Sequence, residues 1–92
     1  MERRIEIRKP IICRMDCAAG HKTFTAEGFD MSEGGVSFAC AQELPVDSEV
    51  VLHYRMQEDG PMVIARVIIR QQSGGRYGAK FIDRKVGHAT GR

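Results

Sequence analysis

Hydrophobic positions along this chain recur with a period of two almost everywhere, and turn residues separate the alternating runs at short intervals. Period two is the spacing of a strand with one buried face, and the gaps between runs are too short for crossover helices. The first run, PIICRMDC, sets Ile11, Cys13, Met15 and Cys17 against Ile12, Arg14 and Asp16, and it ends at an AAGHK turn. TFTAEGFDMS is the second. After a pair of glycines comes GVSFAC, with Val36, Phe38 and Cys40 on one face. QELPVDSE reads as a loop from its Pro, Asp and Ser content. The fourth run, VVLHYRM, places Val50, Leu52, Tyr54 and Met56 opposite Val51, His53 and Arg55, and QEDGP turns the chain into the fifth.

In that fifth run, MVIARVIIRQQ, one face is Val63, Ala65, Val67 and Ile69, while Arg66 and Arg70 fall on the other. SGG then leads into RYGAKFI, whose inward side chains are expected to be Tyr77, Ala79 and Phe81. Six such runs in 92 residues predict an all-β fold, a six-stranded antiparallel β-barrel closed so that no strand edge is left open. The expected organisation is a flexible basic N-terminal arm over residues 1–9, a barrel over 10–83 and a short C-terminal tail, 84–92, that lacks periodicity and reads as frayed or disordered.

Composition narrows the classes. A chain that is 42% hydrophobic at this length holds one domain with a modest core. Its apolar runs are short and no signal segment follows Arg3 and Arg4, so the expectation is a cytoplasmic protein without membrane insertion. Cys13, Cys17 and Cys40 are odd in number and lack metal-ligand spacing, which points to reduced, packed thiols. The net charge of +2 hides an asymmetry: residues 15–83 carry six bases against ten acids, and the remaining bases sit at the two ends. A domain that grips a duplex needs a basic stripe across its body. Binding to long nucleic acid is therefore not expected, and a small anionic ligand or an acidic protein surface suits the arginine arm better.

Two stretches carry the candidate chemistry. In GFDMSEGG, alternation puts Phe29 and Met31 on the core side and Asp30 with Ser32 outside, while Gly34 and Gly35 are expected to form a bulge or turn with positive φ that bares the backbone. A turn in which Asp30 or Ser32 bonds its own backbone would use the same residues. In RRIEIR, Arg4 and Arg8 lie on one side of an extended arm about 13 Å apart, able to reach two groups of one larger ligand. Arginine's planar fork matches phosphate oxygens or the O6 and N7 edge of guanine, and Asp30 can accept from guanine's ring N–H and amino group.

Arg4-x-x-x-Arg8 ahead of the first strand, Asp30-x-Ser32-x-x-Gly35 between strands two and three, and the closing YGAKF strand together resemble the PilZ domain family, bacterial receptor modules for cyclic di-GMP. The resemblance spans Glu2 to Asp83. It implies a six-stranded barrel, with Arg4 and Arg8 on guanine edges and phosphates and Asp30, Ser32 and Gly35 beneath the other base; Gly34 joins these candidates through the bared backbone beside Gly35. Arg3 resembles the residue of members that take the ligand as an intercalated dimer. The resemblance further implies no cofactor beyond that ligand, an arm that orders over the nucleotide, and a signal passed to a downstream protein partner. A second copy of the arginine spacing, Arg66 to Arg70, falls inside the fifth run and reads as ion-paired or solvated surface.

No catalytic constellation stands out, since His21, His53 and His88 are scattered without triad or metal spacing. The alternative reading is a barrel that keeps the fold as a protein-interaction adaptor and binds no nucleotide.

Overall fold

The structure is a computed structural model describing residues 9–87, with side chains from Cys13 onward. The arm arginines Arg3, Arg4 and Arg8 and the tail beyond Gly87 lie outside the described residues. Six strands follow one another: β1 (Lys9–Ala19), β2 (Lys22–Met31), β3 (Gly35–Ala39), β4 (Glu49–Arg55), β5 (Met62–Ser73) and β6 (Arg76–Val86). Every pairing is antiparallel, and the order β1-β2-β3-β6-β5-β4 closes on itself through β1 and β4. The tight turns form where the sequence provides for them: Gly74 and Gly75 take φ of 57° and 83°, the left-handed pair that a two-residue hairpin connection requires.

Alternation sorts the side chains as expected over most of the barrel. Met15, Val36, Phe38, Val50, Leu52, Tyr54, Ala65, Val67, Ile69 and Tyr77 are buried in one continuous core. Each large apolar side chain removed from water contributes about 1.5–3 kcal/mol. Phe38 and Tyr77, opposite one another in the β3–β6 ladder, stack with ring centroids 5.6 Å apart on its inner face.

Several expectations are corrected. Met56 lies past the end of β4 and is exposed, and Cys40 and Phe81 are half-buried rather than fully inside. The tail boundary moves as well: β6 continues to Val86, because Asp83, Arg84, Lys85 and Val86 pair with Arg66, Ala65, Ile64 and Val63 of β5. The loop after β3 contributes a core residue in Leu44, which is buried at one end of the barrel. Its N–H donates to Tyr77 Oη at 3.1 Å, and the Tyr77 hydroxyl donates in turn to the Gln42 carbonyl at 3.0 Å.

Arg66 behaves as ion-paired surface. Its guanidinium meets Asp83 at 2.9 Å and Glu49 at 3.2 Å on the outer face, and this contact holds the Asp83 carboxyl below its usual range.

At the β3–β6 seam the backbones nearly touch. A Cβ built at Gly35 would lie 2.5 Å from the carbonyl oxygen of Ala79, whereas one at Gly78 would meet only the Gln71 side-chain oxygen at 3.3 Å. Backbone cannot step aside as a glutamine side chain can. Gly35→Ala is therefore expected to destabilise the barrel by about 1–3 kcal/mol in a denaturant titration, while Gly78→Ala stays close to wild type. Equal stability of the two variants would contradict this packing.

The three thiols are free. Burial, then the neighbouring Cys40 and Asp16, push the Cys17 thiol up to about 12, and burial raises Cys13 and Cys40 as well. The thiolate is the reacting species, so iodoacetamide at pH 8 should leave Cys17 unmodified until the protein is unfolded. A folded Cys17 pKa above its unfolded value adds stability that is complete below about pH 9 and lost as pH rises toward 12. Rapid native-state alkylation of Cys17, read by peptide mass mapping, would contradict the burial.

Candidate nucleotide-binding groove

The Asp30–Gly35 segment is the connection from β2 to β3, and its geometry follows from a bulge. Gly28 pairs with Phe38 and Asp30 with Ser37, so Phe29 is an extra residue in the ladder. A bulge puts two successive side chains on one face of a sheet. Phe29, expected to point inward with Met31, instead lies half-buried on the outer face beneath Arg76, whose guanidinium carbon is 4.4 Å from the ring centroid. Asp30 shares that outer face through its register with Ser37, whose neighbours Val36 and Phe38 point inward. Met31 returns to the core.

Ser32, expected outside with Asp30, is only 7% exposed. It falls just beyond β2, and its N–H donates to the Gly35 carbonyl at 2.9 Å, which closes a tight connection with Glu33 and Gly34 at the tip. The expected positive φ does not occur at these glycines: among the described residues the glycines with φ in that range are Gly20, Gly74 and Gly75. Gly35 is required for close approach to β6 rather than for a turn.

The tip is held from β6 by two donors. The Phe81 N–H reaches the Gly34 carbonyl at 3.0 Å, and the Arg84 guanidinium reaches the Glu33 carbonyl at 3.1 Å while lying 4.3 Å over the Phe81 ring. Arg84 also sits beside Tyr54, where it partly offsets the rise that burial imposes on the phenol. Lack of periodicity puts Arg84 in the tail on sequence grounds, whereas pairing with Ala65 in β5 brings it to the β2–β3 tip.

Beside the tip runs an open groove of about 320 Å³ lined by Ser32, Gly34, Gly35, Ser37, Arg70, Gln71, Gly78 and Lys80 among others. Three of the sequence-predicted residues, Ser32, Gly34 and Gly35, line it directly, and Asp30 flanks it through the Ser37 pairing. Arg70 and Lys80 were not foreseen as part of the site. The signal for Arg70 was present in the second arginine pair, but only strand register separates it from Arg66. A wider hollow of about 580 Å³ over Cys13, Arg14, Thr25, Ala26, Glu27 and Ala39 contains none of the motif residues. Among the described residues no group of three or more His, Cys, Asp or Glu side chains is placed to hold a metal ion, and no helix is long and apolar enough to cross a membrane.

Comparison with known proteins agrees with the barrel fold. The fold is similar to that of the Bacillus subtilis inhibitor of motility (MotI/DgrA), with a TM-score of 0.76 at 11% identity over 90% of this chain and 44% of that one. This chain thus spans less than half the length of that relative. It is also similar to the PilZ domain of CeSA from a cellulose-synthesizing bacterium, with a TM-score of 0.70 at 21% identity over 84% of this chain and 81% of that one. No curated protein matches the sequence. At such identities the two structures speak to the fold alone. The family model for the PilZ domain, a module that in general serves as a cyclic di-GMP receptor, matches residues 2–88. With that match over nearly its whole length, the chain belongs to the PilZ domain family.

Proposed function

We propose that this chain is a cyclic di-GMP receptor whose arginine arm closes over the groove beside Asp30–Gly35 and thereby changes the surface offered to a protein partner. The observation that carries the reading is the pairing of Lys9 with Met31 in the β1–β2 ladder. Arg8 is the residue covalently before Lys9, about 3.8 Å away along the chain. Connectivity therefore supports a placement of Arg8, the last residue of the first motif, near the start of the second, although the two are more than twenty residues apart in sequence.

The chemistry matches the ligand class. Asp30 on the outer face accepts from the ring N–H and amino group of one guanine, while Arg4 and Arg8 offer planar forks to a guanine O6 and N7 edge and to phosphate. Arg3, next to the first motif, supplies the further contact that a second, intercalated ligand molecule would need. In the absence of the dinucleotide the clustered arginines repel one another. The ligand's negative charge removes that repulsion, so binding and ordering of the arm are coupled. Function is then recognition and signalling, with the cytoplasm as the compartment in which a nucleotide second messenger is met.

Calorimetric titration with cyclic di-GMP tests this directly. Saturable binding is expected, and Arg4→Ala or Asp30→Ala should each weaken it by about 1–3 kcal/mol, roughly tenfold or more in Kd. Two molecules bound per chain, falling to one in Arg3→Ala, would support the dimeric ligand. Absence of heat at high ligand concentration would contradict the receptor reading and favour an adaptor that uses the barrel without nucleotide.

A further inference from the structure

The outer face of the barrel next to the motif is unusual in what it lacks. Register places Asp30, Ser37, Gly78 and Gln71 in one row across β2, β3, β6 and β5. The adjacent outward row runs Gly35, Lys80, Ile68. Adjacent strands lie about 4.8 Å apart, so the first row spans roughly 14 Å from Asp30 to Gln71. At its centre Gly78 carries no side chain, and diagonal to it neither does Gly35. The result is a shallow floor with a carboxylate at one end, in which the space over Gly78 is taken only by the movable Gln71 side chain, whose oxygen lies 3.3 Å from where a Gly78 Cβ would stand.

The other end is cationic and carries a second bulge. Ile69 pairs with Ala79 and Gln71 with Gly78, which leaves Arg70 as the extra residue of β5. Arg70 faces outward by alternation from buried Ile69, the bulge keeps Gln71 on the same face beside it, and Arg70 lines the same groove as Lys80. The two sites of the repeated arginine spacing thus diverge. Arg66 is committed to Asp83 and Glu49, whereas neither Arg70 nor Lys80 makes an ion pair among the described residues. Two uncommitted cations beside a concave polar floor are completed by an anion, and bidentate or charge-assisted bonds to phosphate oxygens are what these side chains make best.

We infer that β5 and β6 form a second wall of the ligand site, in which Arg70 and Lys80 bind the phosphodiester charge of the nucleotide and Gly78, with no side chain of its own, leaves room beneath Gln71. This rests on the cyclic di-GMP reading above. It assigns these cations a role separate from the motif residues, since both stand on strands of the closed barrel.

The test is calorimetry with cyclic di-GMP on the full chain and on Arg70→Ala, Lys80→Ala, Gly78→Val and Arg66→Ala, at two salt concentrations, with a thermal melt of each. Losing either cation should weaken binding about tenfold and flatten its salt dependence, since a charge-assisted contact is removed. Gly78→Val should weaken it by obstructing the floor, and Arg66→Ala should leave it unchanged. Should an alanine variant lose its cooperative melt, Arg70→Gln and Lys80→Gln remove the charge while keeping the side-chain stem. If the wild type binds in an Asp30-dependent manner while both cation variants and Gly78→Val stay within about twofold of it, the second wall is overturned and the receptor reading stands. No binding by the wild type overturns both.

Discussion

Gly35 lies against the Ala79 carbonyl at a distance no side chain tolerates, and the site depends on that contact. It lets β3, a strand of only five residues, seat fully against β6 and close the barrel. Closure in turn fixes the β2–β3 tip, because the Gly34 and Glu33 carbonyls are reached from β6 by the Phe81 N–H and the Arg84 guanidinium. A tip pinned at both carbonyls gives Ser32 and Asp30 defined places before any ligand arrives. Gly35, the last residue of the Asp30-x-Ser32-x-x-Gly35 pattern, is thus a packing residue in its own right.

Around that seam the barrel uses bulges to place chemistry on its outer face. A regular strand must alternate, so every second residue is spent on the core. The extra residue at Phe29 frees Asp30 to share the outer face, and the bulge at Arg70 keeps Gln71 on that face beside the cation. A third irregularity, at Ile82 between the Val67–Phe81 and Arg66–Asp83 pairs, brings Asp83 into register with Arg66 and turns Arg84 toward the tip. These departures converge on one side of the molecule, flanking the β3–β6 seam.

The same departures mark where the sequence stops being legible. Alternation correctly assigns Val36 and Phe38, Val50 to Tyr54, and Ala65 to Ile69, because each sits in a regular ladder with one dry face. It misplaces Phe29 because a bulge is a property of two strands in register, and nothing in GFDMS alone says where its partner skips a residue. It truncates β6 because DRKV is charged, although pairing with β5 carries the strand to Val86 and gives Asp83 its arginine. Leu44 is hidden for a different reason. A single apolar residue in a polar loop has no period, and only the Tyr77 hydroxyl, bonded to the loop backbone on both sides, shows why it folds inward. The site motif itself is readable as residue types at fixed spacing, while Arg70, Lys80 and Arg84 join it only through topology.

The most direct measurement of the central claim, that nucleotide rests on the outer groove flanking the β3–β6 seam, is an amide chemical-shift titration of isotope-labelled protein with cyclic di-GMP. The account predicts saturable shifts concentrated in residues 30–37 and 70–80, with the β1–β2 turn from Ala19 to Lys22, at the far end of the same strand pair, unmoved. Shifts centred on that turn or on the hollow over Cys13, Thr25 and Glu27, with the seam silent, would contradict it.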